Sequence, residues 1–218
     1  METLDLKKEL KMYYQPSAKQ PGILAIPRFQ FVMLDGAVEP GSEPGNSPAF
    51  QQAVEALYGI SYTLKFMLKK RTQDPIDYPV MALEGLWWVE DDTFDIRRKD
   101  NWKWTLMILQ PECITAEIFT AGMAQLRKKR GDLPVFSSLR LESFEEGLCV
   151  QMMHIGPYAT EPATVDAMDA YASAQGYSTR LGSGGKHHEI YLGDPRKGSP
   201  ETMKTVLRHP IARADAAE

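Results

Sequence analysis

The sequence predicts an α+β fold in which two β-α-β-β units form an antiparallel sheet with helices on one face and a central ligand cleft. Three observations lead there. The order strand, helix, strand, strand occurs twice along the 218 residues. A helical stretch near residue 122 separates the two occurrences. Aromatic and β-branched residues crowd the strand-like runs on either side of it.

The first unit begins with Phe29-Gln30-Phe31-Val32-Met33-Leu34, a strand-like run ending at Asp35-Gly36. The Pro- and Gly-rich stretch 40–48 breaks both periodicities and reads as loop. A helix follows, with Ser47 as N-cap and Pro48 at its first position. It runs to about Lys70, with Val54, Tyr58, Tyr62 and Phe66 spaced by four on one face and Leu57, Leu64 and Leu68 widening it. Strands are expected over 80–89 and 102–109, joined by a charged hairpin-like stretch from Glu90 to Asn101.

The connecting helix is expected from about Ile114 to Arg130, closing in Lys128-Lys129-Arg130 with Gly131 as a left-handed cap. In the second unit, strands 139–144 and 148–156 flank the turn Glu145-Glu146-Gly147. A helix from about Glu161 to Gln175 follows, capped by Thr160, with Pro162 in its first turn and Gly176 beyond its end. Runs 187–193 and 204–208 read as strands. The expected organisation is one domain over 1–218, with halves of about 21–110 and 136–213 and a connecting helix of about 114–130. Residues 1–20 form a polar arm or short helix.

Composition removes several function classes. The formal net charge of −4 gives no global attraction to nucleic acid or acidic membranes. Two cysteines at this length point to free thiols and away from a disulfide framework. No signal peptide or membrane-length apolar run is legible, so the cytoplasm is the expected compartment.

Motifs for familiar chemistries are incomplete. Gly182-Ser183-Gly184-Gly185-Lys186 lacks the first glycine of a phosphate loop, because Arg180 stands there, and His187 follows the lysine. The nucleophile-elbow spacing is missing. His187 and Glu189 point to one strand face, but no third ligand is adjacent in sequence, so neither metal nor cofactor is expected. Glu189 is the candidate general base, or the counter-ion of a cationic ligand, because it sits in an otherwise apolar strand with Tyr191 on its face. Glu84 is its counterpart in the first half and shares a face with Trp88, while Trp87 takes the other. All four tryptophans fall in two strands, and with Tyr58 and Tyr62 they predict an aromatic pocket.

Four stretches carry a resemblance: Leu57–Phe66, Leu83-Glu84-Gly85-Leu86-Trp87-Trp88, His154-Ile155-Gly156-Pro157-Tyr158, and His187 through Arg196. Together they resemble the stand-alone GyrI-like small-molecule-binding domain proteins over nearly the whole chain. The resemblance implies a pseudo-two-fold pair of β-α-β-β units with a hydrophobic ligand between them. In the related multidrug-sensing regulators a buried glutamate meets cationic aromatic ligands, and Glu189 matches it. Those regulators carry a helix-turn-helix module. This chain departs from them in having a short polar arm, so direct nucleic-acid binding is not expected.

Some stand-alone members are reported as cyclopropanoid cyclopropyl hydrolases that destroy cyclopropane-bearing, DNA-alkylating natural products. The resemblance thus implies hydrolytic detoxification, with Glu189 as base, Tyr58 and Tyr191 as further catalytic candidates, and Tyr62, Glu84, Trp88, Trp104, His154 and Tyr158 as ligand-binding candidates. A non-catalytic sensor or sequestering protein and a gyrase-inhibitor-like interaction module are the alternatives. The sequence leaves the oligomeric state open.

Overall fold

The computed structural model describes residues 2–39, 41–90, 94–99, 101–182, 184–193 and 199–214. Nine antiparallel strands form the main sheet: β1 (Gly22–Ile26), β2 (Phe29–Ala37), β3 (Leu83–Trp88), β4 (Lys103–Gln110), β5 (Arg140–Phe144), β6 (Gly147–Ile155), β7 (Tyr177–Thr179), β8 (His187–Tyr191) and β9 (Lys204–Arg213). Three long helices accompany them: α1 (Pro48–Lys69), α2 (Ala116–Arg130) and α3 (Glu161–Ala174). The spatial order is β1-β6-β9-β8-β3-β4-β2-β5, with β7 added to β9. The expected repeat is there: β2-α1-β3-β4 and β6-α3-β8-β9 occupy mirrored places on either side of the β3–β8 pair, which is the pseudo-two-fold seam.

Local signals place the helices well. Ser47 Oγ accepts the Phe50 amide at 3.1 Å, and Thr115 Oγ1 accepts that of Ile118 at 3.3 Å. Gly131 takes φ +83° at the end of α2, a conformation that favours glycine. Thr160 precedes α3 but makes no side-chain cap; its hydroxyl donates instead to the Pro157 carbonyl at 2.8 Å.

Two expectations need correction. The buried stripe of α1 is Ala53, Leu57, Ile60, Leu64 and Leu68; Tyr62 and Phe66 are 48% and 44% exposed. The aromatic stripe Tyr58–Tyr62–Phe66 stacks ring on ring along a flank instead. The second correction concerns residues 139–156. β5 and β6 do not pair with each other: β5 pairs with β2, and β6 with β1. The strand β1 and the short β7 lie outside the strands that the sequence pattern predicts.

This crossed pairing shapes the sheet. Gly22 pairs with Gln151, Ile26 with Gly147, Phe29 with Phe144 and Met33 with Arg140. Each residue number and its partner's keep one constant sum, so the register runs on unbroken from one ladder into the other. Segments 22–37 and 140–155 therefore make one antiparallel ribbon. Only two residues link β1 to β2, and two link β5 to β6, yet these strands stand at opposite ends of the sheet order. Chain reach forces the ends together, and the sheet curls under the ribbon.

Alternation divides the side chains between two faces. The outer face carries Trp87, Trp104, Leu106, His187, Glu189, Leu207 and His209 beneath α1 and α3. The inner face carries Glu84, Leu86, Met107, His188, Ile190 and Arg208 under the ribbon and the N-terminal arm. The arm, whose short helices are Leu6–Glu9 and Lys11–Tyr14, buries Leu6 and Tyr14.

A polar chain runs through the inner face. Tyr14 donates to Glu84 Oε1 at 2.5 Å, and Glu84 Oε2 lies 3.0 Å from His188 Nε2. His188 Nδ1 lies 3.0 Å from Glu146 Oε2, which also accepts from Arg208 at 3.2 Å. Arg208 donates onward to Gln151 at 3.1 Å and to the Tyr13 carbonyl at 2.6 Å. Burial alone would raise the Glu146 carboxyl, but the charges of His188 and Arg208 reverse this and hold it at about 2. For His188 burial acts downward, and Glu146 and Glu84 outweigh it and raise the ring above its ordinary 6.5.

The sign of the pH dependence follows. Glu146 stabilises the fold above its ordinary 4.5, and that contribution is lost as pH falls towards about 2. The His188 contribution is complete below 6.5 and is lost as pH rises through its elevated value. Thermal unfolding across pH will show stability falling through the acid window, with a flatter dependence for Glu146→Gln; parallel curves for the two proteins would refute this. His188→Ala takes one partner from each of two buried carboxylates, Glu84 and Glu146, and should cost on the order of 3–5 kcal/mol at neutral pH.

Candidate functional site around Glu189 and Glu161

The outer face of the central seam gathers most of the buried polar groups lying between the sheet and α3. Glu189 sits in mid-β8 opposite Gly85, and His187 sits opposite Trp87. Both side chains are buried, as alternation requires of a strand inside a sheet. His187 Nε2 lies 3.0 Å from Glu189 Oε1. Gly85 leaves room above the seam: a Cβ there would stand 3.0 Å from the Tyr191 hydroxyl and 3.0 Å from the Trp87 ring nitrogen. That space is used by a hydrogen bond from Trp87 Nε1 to the Tyr191 oxygen at 3.1 Å. Burial, and then the charge of Glu189, raise the Tyr191 hydroxyl well above its ordinary value.

α3 adds a second carboxylate. Glu161 lies in its first turn and is 2% exposed, and its Oε1 has no hydrogen-bond partner. Burial first, and then the charge of Glu189, push the Glu161 carboxyl up to about 10, with Lys99 opposing weakly. At neutral pH Glu161 therefore carries a proton. Such a carboxyl beside a second one can serve as acid and its neighbour as base. Tyr158 joins them, its hydroxyl raised to about 12 by burial and then by Glu189 and Glu161. Its ring meets Tyr191 edge-on at 6.1 Å.

Glu161, His187 and Glu189 each offer a ligand atom within 4.8 Å of the others, a third donor that the strand spacing alone did not supply. A His–Glu–Glu set suits a divalent cation. The close His187–Glu189 contact and the protonated Glu161 also fit the same three groups to acid–base work.

Aromatic rings wall one end. Phe94 stacks on His187 at 5.3 Å between centroids and meets Trp102 at a tilt of 32° and 4.7 Å. Trp102 meets Trp87 at 5.5 Å, and Phe50 of α1 stacks on Trp87 at 6.0 Å. The segment 94–99 thus packs over His187 and Trp102, tied to α3 by Arg97, which donates to both oxygens of Asp166 at 3.0 and 2.9 Å. The sequence pattern predicts a charged hairpin here, whereas Phe94 and Ile96 are buried. Asp91, Asp92, Thr93 and Asp100 of that stretch lie outside the described residues.

The remaining sequence candidates fall in different places. Glu84 and Trp88 are on the inner face, away from Glu189. Glu84 belongs to the Tyr14–His188 chain, and the Trp88 ring receives the Lys186 ammonium at 3.7 Å. Trp104 is on the outer face, but its ring lies over Gly36, where a Cβ would come within 2.1 Å of it. His154 serves the local structure. Its Nδ1 accepts from Thr164 at 2.8 Å, and its Nε2 donates to the Pro157 carbonyl at 3.2 Å. With Gly156 at φ +137°, this closes the turn that starts α3 and sets Tyr158 against Tyr191. Tyr58 and Tyr62 line the flank of α1 opposite the one where Gly59, Ile60 and Leu64 receive α2. Ser183 and Asp194–Arg196, parts of two motifs, lie outside the described residues.

Sequence reasoning missed Glu161, Phe94 and His209. An acidic residue in a first helical turn has an ordinary reading, complementing the helix dipole, so nothing local marked Glu161.

The pattern of the GyrI-like small molecule binding domain matches residues 19–212. An uncharacterized conserved protein from Listeria innocua is 40% identical, with a TM-score of 0.85 over 96% of this chain and 100% of that one. A hydrolase from Listeria innocua is 40% identical, with a TM-score of 0.82 over 97% and 100%. The EcmrR C-terminal domain shares the fold at 10% identity and TM-score 0.51, over 89% of this chain and 98% of that one. No curated protein matches the chain. The chain belongs to the GyrI-like small-molecule-binding domain family.

Because Glu161 is held protonated, a Gln in its place copies the neutral form without the cost of the proton. The raised carboxyl lowers stability as pH climbs from 4.5 towards about 10. Glu161→Gln should accordingly be more stable than the native chain at pH 7, on the order of 1–3 kcal/mol, with a gain that shrinks at pH 5. Chemical denaturation at the two pH values measures it, and a variant less stable at both would contradict the assignment.

Proposed function

We propose that this GyrI-like domain binds flat hydrophobic or cationic aromatic molecules over the β3–β8 seam between α1 and α3, and hydrolyses those that carry a strained electrophilic ring. The observation that carries this reading is the buried pair of neighbouring carboxyls, Glu189 and the proton-holding Glu161, inside a wall of Trp87, Tyr158 and Tyr191. A hydrolase 40% identical over 97% of the chain supports it.

The chemistry follows from the donors present. Glu189 takes a proton from water as the water oxygen bonds to a cyclopropane carbon. The ring C–C bond breaks, and its electron pair moves into the conjugated carbonyl. The carbonyl oxygen, now gaining charge, accepts a hydrogen bond from Tyr158 and takes the proton of Glu161. Proton return from Glu189 to Glu161 resets the pair, and one water has been added overall. Tyr191, fixed between Trp87 and Glu189, orients the base. Tyr58 and Tyr62 offer stacking surface on the α1 side. In this reading the protein acts in the cytoplasm as a detoxifying enzyme and makes no direct contact with nucleic acid.

A second reading keeps the pocket without the chemistry. The charge of Glu189, set among aromatic rings, suits an aromatic cation, which a sensor or sequestering protein would hold. A gyrase-inhibitor-like interaction module would instead keep its binding when the pocket aromatics are replaced.

Product analysis after incubation with cyclopropane-bearing electrophiles and aromatic cations separates these. Ring-opened product should form and fall at least about 100-fold in Glu189→Gln. Tight binding without product in the native protein would leave the sensor reading in its place.

A further inference from the structure

The chemistry above leaves a line of polar groups on the outer face unused. His187 Nδ1 lies 2.7 Å from His209 Nε2, and both rings are fully buried. On the far side, His209 Nδ1 has no hydrogen-bond partner and stands 3.8 Å from Asp169 Oδ1, which also has none. The Asp169 side chain is 46% exposed. With His209 it lines a groove of about 430 Å³ between α3 and segment 94–99. Hydrogen-bond contacts thus run from Glu189 through His187 to His209, and a gap of 3.8 Å separates His209 from Asp169 at the groove.

Hydrogen-bond logic fixes the tautomers. The Glu189 carboxylate only accepts, so His187 presents Nε2–H to it. His187 Nδ1 is then bare and accepts from His209 Nε2–H. That leaves His209 Nδ1 bare and facing another acceptor, Asp169. Two acceptors cannot bond, which accounts for their 3.8 Å separation. Burial lowers His209 to about 4, in keeping with a neutral ring. Around the groove stand Arg97, paired with Asp166, and Arg98, while the charge of Glu146 acts on His209 from the opposite face of the sheet.

We propose that Asp169, His209 and His187 form a proton relay between the surface groove and Glu189. The relay rests on the reading of Glu189 as the acid–base group. A proton arriving at His209 Nδ1 releases the Nε2 proton to His187 Nδ1, and His187 releases its Nε2 proton to Glu189. One proton enters, one arrives, and both rings end neutral in the opposite tautomer. The reverse sequence discharges Glu189. Glu189 can then exchange its proton with solvent while a flat ligand seals the cleft. His187 and His209 are positioning residues: they act through Glu189 and do not touch the substrate.

His209→Gln retains a partner for His187 but passes no proton, and Asp169→Asn alters the groove end alone. With a cyclopropane-bearing electrophile as probe, both variants should lower kcat about tenfold or more with KM little changed. The solvent deuterium isotope effect should rise, and added imidazole should restore part of the rate in a His209→Gly protein. Unchanged kcat and isotope effect in folded variants would overturn the relay even where Glu189→Gln abolishes product. If the native protein makes no product, the hydrolytic reading fails and ring-nitrogen NMR decides the relay. The relay requires His187 and His209 to change tautomer together over one pH transition, with the His187 response lost in His209→Gln. Independent behaviour of the two rings would overturn it.

Discussion

The fold depends on the contact between Glu146 and His188. A sheet whose first and last strands are joined by two-residue links must curl, and something must hold the crossing of the ribbon against the middle of the sheet. Glu146 does so from the link itself, reaching the central strand at 3.0 Å and Arg208 at 3.2 Å. Burying these charges is favourable only because each finds its partners, so the contact stabilises one curvature and penalises others. The same contact pins β8 from below. The next residues along the strand, His187 and Glu189, face upward into the candidate site, so the inner network fixes the backbone that aims the outer one.

Alternation on β8 therefore separates two kinds of buried polarity. His188 belongs to a network that reaches the N-terminal arm, in which both of its ring nitrogens are paired and Glu146 Oε1 alone is not. His187 and Glu189 belong to a cluster with unpaired atoms at Glu161 and His209. Unpaired buried polar atoms are uncommon in folded proteins and concentrate where binding or chemistry takes place. Two such atoms, on Glu161 and His209, flank the His187–Glu189 pair, and this grouping is the physical reason for placing function on the helix-bearing face.

Much of this is legible in the sequence, because it rests on local chemistry. Ser47 with Pro48, Thr115, and Gly131 after three cations mark helix ends through short-range hydrogen bonds and dipole complementarity. The repeat of strand, helix, strand, strand is legible for the same reason, as is the opposition of Glu84 and Trp87 across a strand. Strand pairing is not. That β5 turns away from β6 to join β2 is set by contacts more than a hundred residues apart, which no local periodicity records. The buried face of α1 differs from the expected one because large aromatics outweigh alanine in any apolar pattern, whereas close packing on the sheet favours Ala53 and Leu57. Glu161 and His209 come to Glu189 only through tertiary packing, so half of the candidate site has no signal in its own neighbourhood.

The crossed ribbon also bears on how the chain stays self-contained. All of its ladder bonds join one half of the molecule to the other, so they would be equally satisfied by the complementary half of a second copy. What favours closure within a single chain is the connector: α2 spans about 22 Å as a helix of fifteen residues, packed on α1 and delivering β5 to β2. Self-sufficiency here is a matter of effective concentration set by a tether. A lengthened or broken connector would leave every strand as well paired as before and change only whose strand it pairs with.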